Sequence, residues 1–207
     1  MLNRVPVSDQ AKKELLTLMG AADRHYHNIS HLAVLWRRHR GLCSGTGMDE
    51  PEVELRLIAA ILWHDAIYVA GRRDNEQRSA ELWSAVARGS NLSTPVADWV
   101  VKAILATGEH AARRSPNAAG EDQALKWLLD LDLTPLGEPP EEFARNTARL
   151  AREFEAASDS RWRHRRIGFL RCMADCPHIY LSPSIAAAYE AQARANIARE
   201  LATVERD

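Results

Sequence analysis

Histidines and carboxylates gathered at the ends of apolar stretches are the residues of this chain best suited to chemistry. His27 and His31 stand four apart, which on a helix places both on one face. His64-Asp65 closes the apolar run LRLIAAILWHD, and Asp130 and Asp132 close a second, ALKWLLDLDL. Glu76 and His110 fall near expected helix boundaries. Imidazole with carboxylate is the donor mix that holds Zn, Mn, Fe, Co or Ni, often with positions left for water or substrate. A buried aspartate is costly without a compensating cation, so a metal would account for several of these residues at once. Arg72 and Arg73 follow the His-Asp doublet in a loop, where they are placed to meet an anion.

The elements that must position these side chains read as helices almost throughout. Ala, Leu, Arg and Glu dominate, and alternating Val, Ile and Thr runs are absent. Ser8 predicts a capped helix to about Met19. A second is expected from near His27 until Gly41, followed by the glycine-rich loop GLCSGTGMDE. Pro51 opens a third, burying Leu55, Ile58, Ala59 and Leu62. After the loop AIYVAGRRD, Asn75 is expected to cap a fourth, and Thr94-Pro95 opens a fifth to about Thr107. Residues 108–120 are polar, with Ser115-Pro116-Asn117 expected to be exposed. Further helices are predicted near 121–131, 140–157, 160–174 and 183–205. With no repeat and no evident linker, this is an all-α, single-domain reading, with Leu62, Trp63, Leu128 and Leu129 in the core.

In order and spacing, His31, His64-Asp65 and Asp132 resemble the H…HD…D signature of the HD-domain superfamily of metal-dependent phosphohydrolases. The likeness is nearest to a branch of predicted hydrolases of about this length. RHYHNISHL, AAILWHDAIY, DNEQRSAEL, Thr107 to His110, DLDLTPLG, REFE and RANIAREL carry it along nearly the whole chain. The doublet alone is common; the ordered set is what makes the likeness specific.

The resemblance implies an HD-type helical bundle over residues 1–207 in which His31, His64, Asp65 and Asp132 hold a divalent ion (Mn, Fe, Co, Ni, Zn or Mg). His27 also fits the first position, but Leu32 and Leu35 after His31 favour the latter, leaving His27 to face substrate. Asp132 is preferred as the last ligand, with Asp130 the alternative. Glu76 matches a carboxylate that lies beside the metal and, with Asp65, would serve catalysis. His110 would bind a second metal or steady charge on a phosphate, and Arg72 and Arg73 would contact substrate. The implied reaction is hydrolysis of a phosphomonoester or phosphodiester, nucleotides included, by metal-activated water with a carboxylate accepting its proton. Two other readings stand beside it: a di-iron oxygenase of the same fold using His27, Glu76 and His110 as added ligands, and a non-catalytic nucleotide-sensing module. The intact H…HD…D set favours the hydrolase.

Composition sets the frame. The chain's 27 Lys+Arg against 28 Asp+Glu give a net charge of −1, which argues against dedicated nucleic-acid binding. No run approaches the ~18 apolar residues of a membrane span. The start, MLNRVPVSDQAKKELL, lacks a secretory signal's apolar core and cleavage site. Three cysteines make no disulfide framework. A cytoplasmic, reduced protein acting on a phosphorylated small molecule is the expectation, and a homo-oligomer is compatible with it. Two clusters invite other chemistry. RWRHRR (161–166) is basic, but the acidic stretch REFEAASDS before it favours ion pairing on a solvated face. Cys172, Cys176 and His178 offer three candidate zinc ligands, one short of a closed structural site, with Pro177 among them. Neither a P-loop nor GxGxxG is present.

Overall fold

Caps and apolar faces decide where the helices begin and what they bury. The computed structural model describes residues 1–110, 122–156 and 161–204. Among these it contains α1 (Asp9–Met19), α2 (Ile29–Leu42), α3 (Pro51–Trp63), α4 (Asn75–Arg88), α5 (Thr94–Thr107), α6 (Gln123–Leu133), α7 (Pro140–Ala156), α8 (Trp162–Asp175) and α9 (Pro183–Val204), with short 3-10 turns at Leu2–Arg4 and Thr134–Gly137. No strand occurs among the described residues, so the class is all-α. Ser8 caps α1 as expected, its Oγ accepting from Ala11 N at 3.1 Å. No described helix is long and apolar enough to cross a membrane. Ser115-Pro116-Asn117 lies outside the described residues.

The chain divides into two compact units, Met1–Gly108 and Glu109–Asp207. In the first, the C-terminal half of α3 is apolar on every side, the mark of a helical stretch buried all round, and Leu57 through Trp63 are all buried. α2 and α5 pack on α3, and α4 packs on α5. The Trp63 and Trp83 rings meet at 5.1 Å. The Trp83 indole N–H donates to Ala97 O at 3.1 Å, so this large side chain is buried with its polar atom satisfied.

Both boundaries of α2 differ from the sequence expectation. α2 begins at Ile29, because Asn28 is its cap: the Asn28 Oδ1 accepts from Ser30 N at 2.9 Å, while its Nδ2 donates to Arg24 O and His25 O. These bonds hold residues 24–28 in a turn, so His27 precedes the helix. α2 then runs through Gly41 to Leu42; one glycine near a helix end costs only about 1 kcal/mol. The left-handed positions in the following loop are Gly45 (φ 73°) and Gly47 (φ 78°).

The loop after His64-Asp65 is tied down by α4. Asn75 accepts from Val69 N and donates to Val69 O, both at 3.0 Å. Ser79 makes the same two-way clasp on Ile67 at 3.0 and 3.1 Å. Asn75 is therefore the first residue of α4 rather than its cap, its amide spent on the loop, and Asp74 occupies the cap position.

At the opposite ends of α2 and α3 from His31 and His64 lies a second polar group. Glu54, 4 % exposed, accepts from Arg4 Nη2 and from Arg40 Nη1 at 2.8 Å. His39 is fully buried with Nε2 3.8 Å from Glu54 Oε1. Burial outweighs the Glu54 charge and lowers the His39 pKa to about 4.

In the second unit, α6 buries Trp127, Leu128, Leu129, Leu131 and Leu133. The Thr134–Gly137 turn packs against α9, α6 and α7. A Cβ at Gly137 would lie 2.7 Å from both Cβ and O of Tyr189, so glycine is what lets the turn approach α9. Buried Asn196 on α9 donates to Leu136 O at 2.9 Å and Glu138 O at 2.7 Å. From the RWRHRR cluster, Arg166 pairs with Glu200 of α9 at 3.0 Å. Phe154 and Trp162 stack at 5.1 Å. This partner of Arg166 comes from α9.

Candidate functional site

The end of α3 delivers a histidine into a buried setting. His64 is the C-terminal cap residue, 2 % exposed, and its Nδ1 lies 3.0 Å from Ile61 O. A carbonyl can only accept, so Nδ1 carries the proton and Nε2 is the ring's remaining coordinating atom. Nε2 sits 3.0 Å from Asp65 Oδ2. A neutral ring would there turn a lone pair toward a carboxylate oxygen, an arrangement that calls for a cation between them, proton or metal.

His31, in the first turn of α2 and 6 % exposed, joins the same group. Its Nε2 is 4.0 Å from Asp65 Oδ2, and its ring lies 5.7 Å from that of His64. Two buried imidazoles and a carboxylate with 14 % side-chain exposure thus converge within the first unit. The donor set suits a divalent transition ion, and the Nδ1–H bond to a backbone carbonyl is the usual device that fixes a ligating histidine's tautomer and orientation.

His27 takes a different place. It stacks on Tyr68 at 3.9 Å between ring centres, meets Tyr26 edge-on at 4.9 Å, and lies 6.0 Å from the His31 ring. The shared helical face expected for His27 and His31 does not exist, because Asn28 starts the helix after His27. The two rings are neighbours through the turn instead.

Glu76 stands in the first turn of α4. Its side chain passes so close to the end of α5 that a Cβ at Gly108 would lie 3.1 Å from its Cδ. Arg72 forks onto Asp74 at 2.7 and 2.6 Å, an exposed pair that holds the Asp74 carboxyl below its ordinary range. Arg73 is exposed in the same loop.

The second unit holds the other two candidates together. His110 Nε2 lies 2.8 Å from Asp132 Oδ2, and His110 Nδ1 is buried without a hydrogen-bond partner among the described residues. Asp130, two residues away on α6, is fully buried, and its Oδ2 accepts from Leu181 N at 2.9 Å and Ser182 N at 2.6 Å. Its carboxylate is engaged by the backbone leading into α9. Between the two aspartates, Asp132 is the one in a histidine–carboxylate pair.

The comparisons add no family. Neither protein-family models, nor curated proteins, nor solved structures give a match to the chain.

Two contributors had no clear signal in the sequence. Tyr68 is one, where only its position three residues after Asp65 could have drawn notice. The other is Arg24, whose guanidinium is buried against the carbonyls of Asp65 and Ala66. Cys172 is exposed and Cys176 Sγ donates to Cys172 O at 3.2 Å; with His178 they form no metal-ligand cluster among the described residues.

Proposed function

We propose that this chain is a metal-dependent phosphohydrolase of the HD type, acting on a phosphomonoester or phosphodiester of a small molecule. The observation that carries the reading is the convergence of His31, His64 and Asp65 at the α2 and α3 ends, with His64 oriented through its Nδ1–H bond to Ile61 O. His31, His64 and Asp65 would hold the ion, and Asp132 is proposed as the fourth ligand on the strength of the H…HD…D order. When bound, the divalent cation supplies Lewis acidity, making water acidic near neutral pH and drawing charge from a phosphoryl oxygen.

The remaining roles belong to the chain's own residues. Glu76 is proposed to accept a proton from the attacking water. Stacked His27 and Tyr68 form a half-buried aromatic surface that would contact the leaving group. Arg73 would contact the phosphate; Arg72, engaged by Asp74, would help only by exchanging partners. His110 is proposed to orient Asp132 through its 2.8 Å contact.

A screen tests this. Protein purified without chelator, supplemented in turn with Mn2+, Co2+, Ni2+, Zn2+ or Mg2+, is assayed on p-nitrophenyl phosphate, bis-p-nitrophenyl phosphate and a panel of phosphorylated metabolites. Phosphate or alcohol release that stops with chelator and in His64→Ala supports the reading. Full activity in chelator, or in His64→Ala, contradicts it.

A further inference from the structure

Arg24 is 8 % exposed, and its guanidinium faces backbone oxygens from two separate stretches of chain. Nη1 donates to Asp65 O at 2.6 Å and to His27 O at 3.1 Å, with Met19 Sδ also at 3.1 Å. Nη2 donates to Ala66 O at 2.8 Å. Asp65 and Ala66 follow directly on the end of α3, where carbonyls lack partners within the helix and a cation is favoured by the helix dipole. The main chain of Arg24 is fixed from both directions: its N–H donates to Ala21 O, just after α1, at 3.1 Å, and its carbonyl accepts from the Asn28 cap of α2 at 3.1 Å. One residue thus joins the turn that starts α2 to the turn that ends α3.

His31 rides on the first of these elements, His64 and Asp65 on the second. We propose that Arg24 is a positioning residue that sets the separation at which His31, His64 and Asp65 present their donors to a divalent cation. The proposal rests on the metal-site reading above. The guanidinium suits the task because two nitrogens in a rigid plane reach adjacent carbonyls at once. A lysine keeps the charge but brings one nitrogen on a flexible stem, so it satisfies Asp65 O or Ala66 O without locking both.

The test is a titration of Co2+ into metal-free wild type, Arg24→Lys and Trp83→Phe, well below their unfolding temperatures. Trp83→Phe serves as control because it removes the 3.1 Å bond to Ala97 O elsewhere in the same unit. Arg24→Lys is expected to bind Co2+ about 10- to 100-fold more weakly, the usual effect of losing a group that orients ligands. The visible spectrum of its bound Co2+ is expected to shift, while Trp83→Phe loses stability and keeps both affinity and spectrum. Should Arg24→Lys not fold, the wild type answers alone: binding and bracing are reciprocal, so added Zn2+ is expected to slow solvent exchange of the Arg24 guanidinium protons. Unchanged Co2+ affinity and spectrum in Arg24→Lys, or guanidinium exchange indifferent to Zn2+, overturns the positioning role and leaves the metal site standing. Wild type that binds no divalent ion overturns the metal-site reading and this inference with it.

Discussion

At His64 the two ring nitrogens have separate duties. Nδ1–H is held by Ile61 O, which leaves Nε2 beside Asp65 and near the His31 ring. His27, four residues before His31, has its ring stacked on Tyr68 instead. This division predicts opposite outcomes for two alanine variants. His31→Ala is expected to lose bound metal and phosphatase activity together, since no neighbouring group replaces a lost ligand. His27→Ala is expected to keep its metal and lose turnover or substrate affinity. Metal analysis and p-nitrophenyl phosphate hydrolysis on the same two preparations check this. Metal lost from His27→Ala and kept in His31→Ala would move the ligand to His27.

At the scale of elements, α6 shows how one helix serves two ends. Asp130 and Asp132 point about 200° apart around the axis at 3.6 residues per turn. Asp130 therefore anchors the backbone before α9, while Asp132 meets His110. Removing a buried carboxylate that accepts two backbone N–H groups costs about 2–3 kcal/mol. Asp130→Ala is thus expected to lower the urea midpoint and leave metal content as in wild type; metal loss without destabilisation would make Asp130 the ligand.

Much of this scale was legible in the chain. Ser8, Pro51 and Thr94-Pro95 mark helix starts by local rules, and α1, α3 and α5 begin within a residue or so of them. The start of α2 was not, because His27 and His31 carry helical spacing while the decision lies with Asn28, whose side chain bonds both ways across the turn. Asp130 and Asp132 could not be told apart, because their roles depend on Leu181, Ser182 and His110, all distant in sequence. A buried arginine such as Arg24 has the same letter as a solvated one; only the fold reveals the carbonyls it holds.

At the scale of the whole molecule, acid should weaken the protein through the polar group at the far ends of α2 and α3. Burial keeps His39 neutral with its pKa lowered from 6.5 to about 4. For Glu54, burial acts to raise the pKa, but the bonds from Arg4 and Arg40 prevail and hold it below the carboxylate range. Both pKa values are depressed by folding, so both contributions are present near neutrality and lost toward acid. For His39 the loss begins as pH falls through 6.5 and is complete below about 4, and the displacement corresponds to ~3 kcal/mol. Urea unfolding between pH 7 and 4 is expected to show this decline, flattened in His39→Gln. A stability profile independent of pH over that range would contradict it.

The role proposed for His64 and Asp65 is to anchor a divalent metal ion. Its most direct test is elemental analysis of wild type, His64→Ala and Asp65→Ala, expressed alike and purified without chelator, with circular dichroism confirming equal helix content. Bound transition metal is expected in the wild type, with most of it lost in each variant. Wild-type metal content in both variants would contradict it.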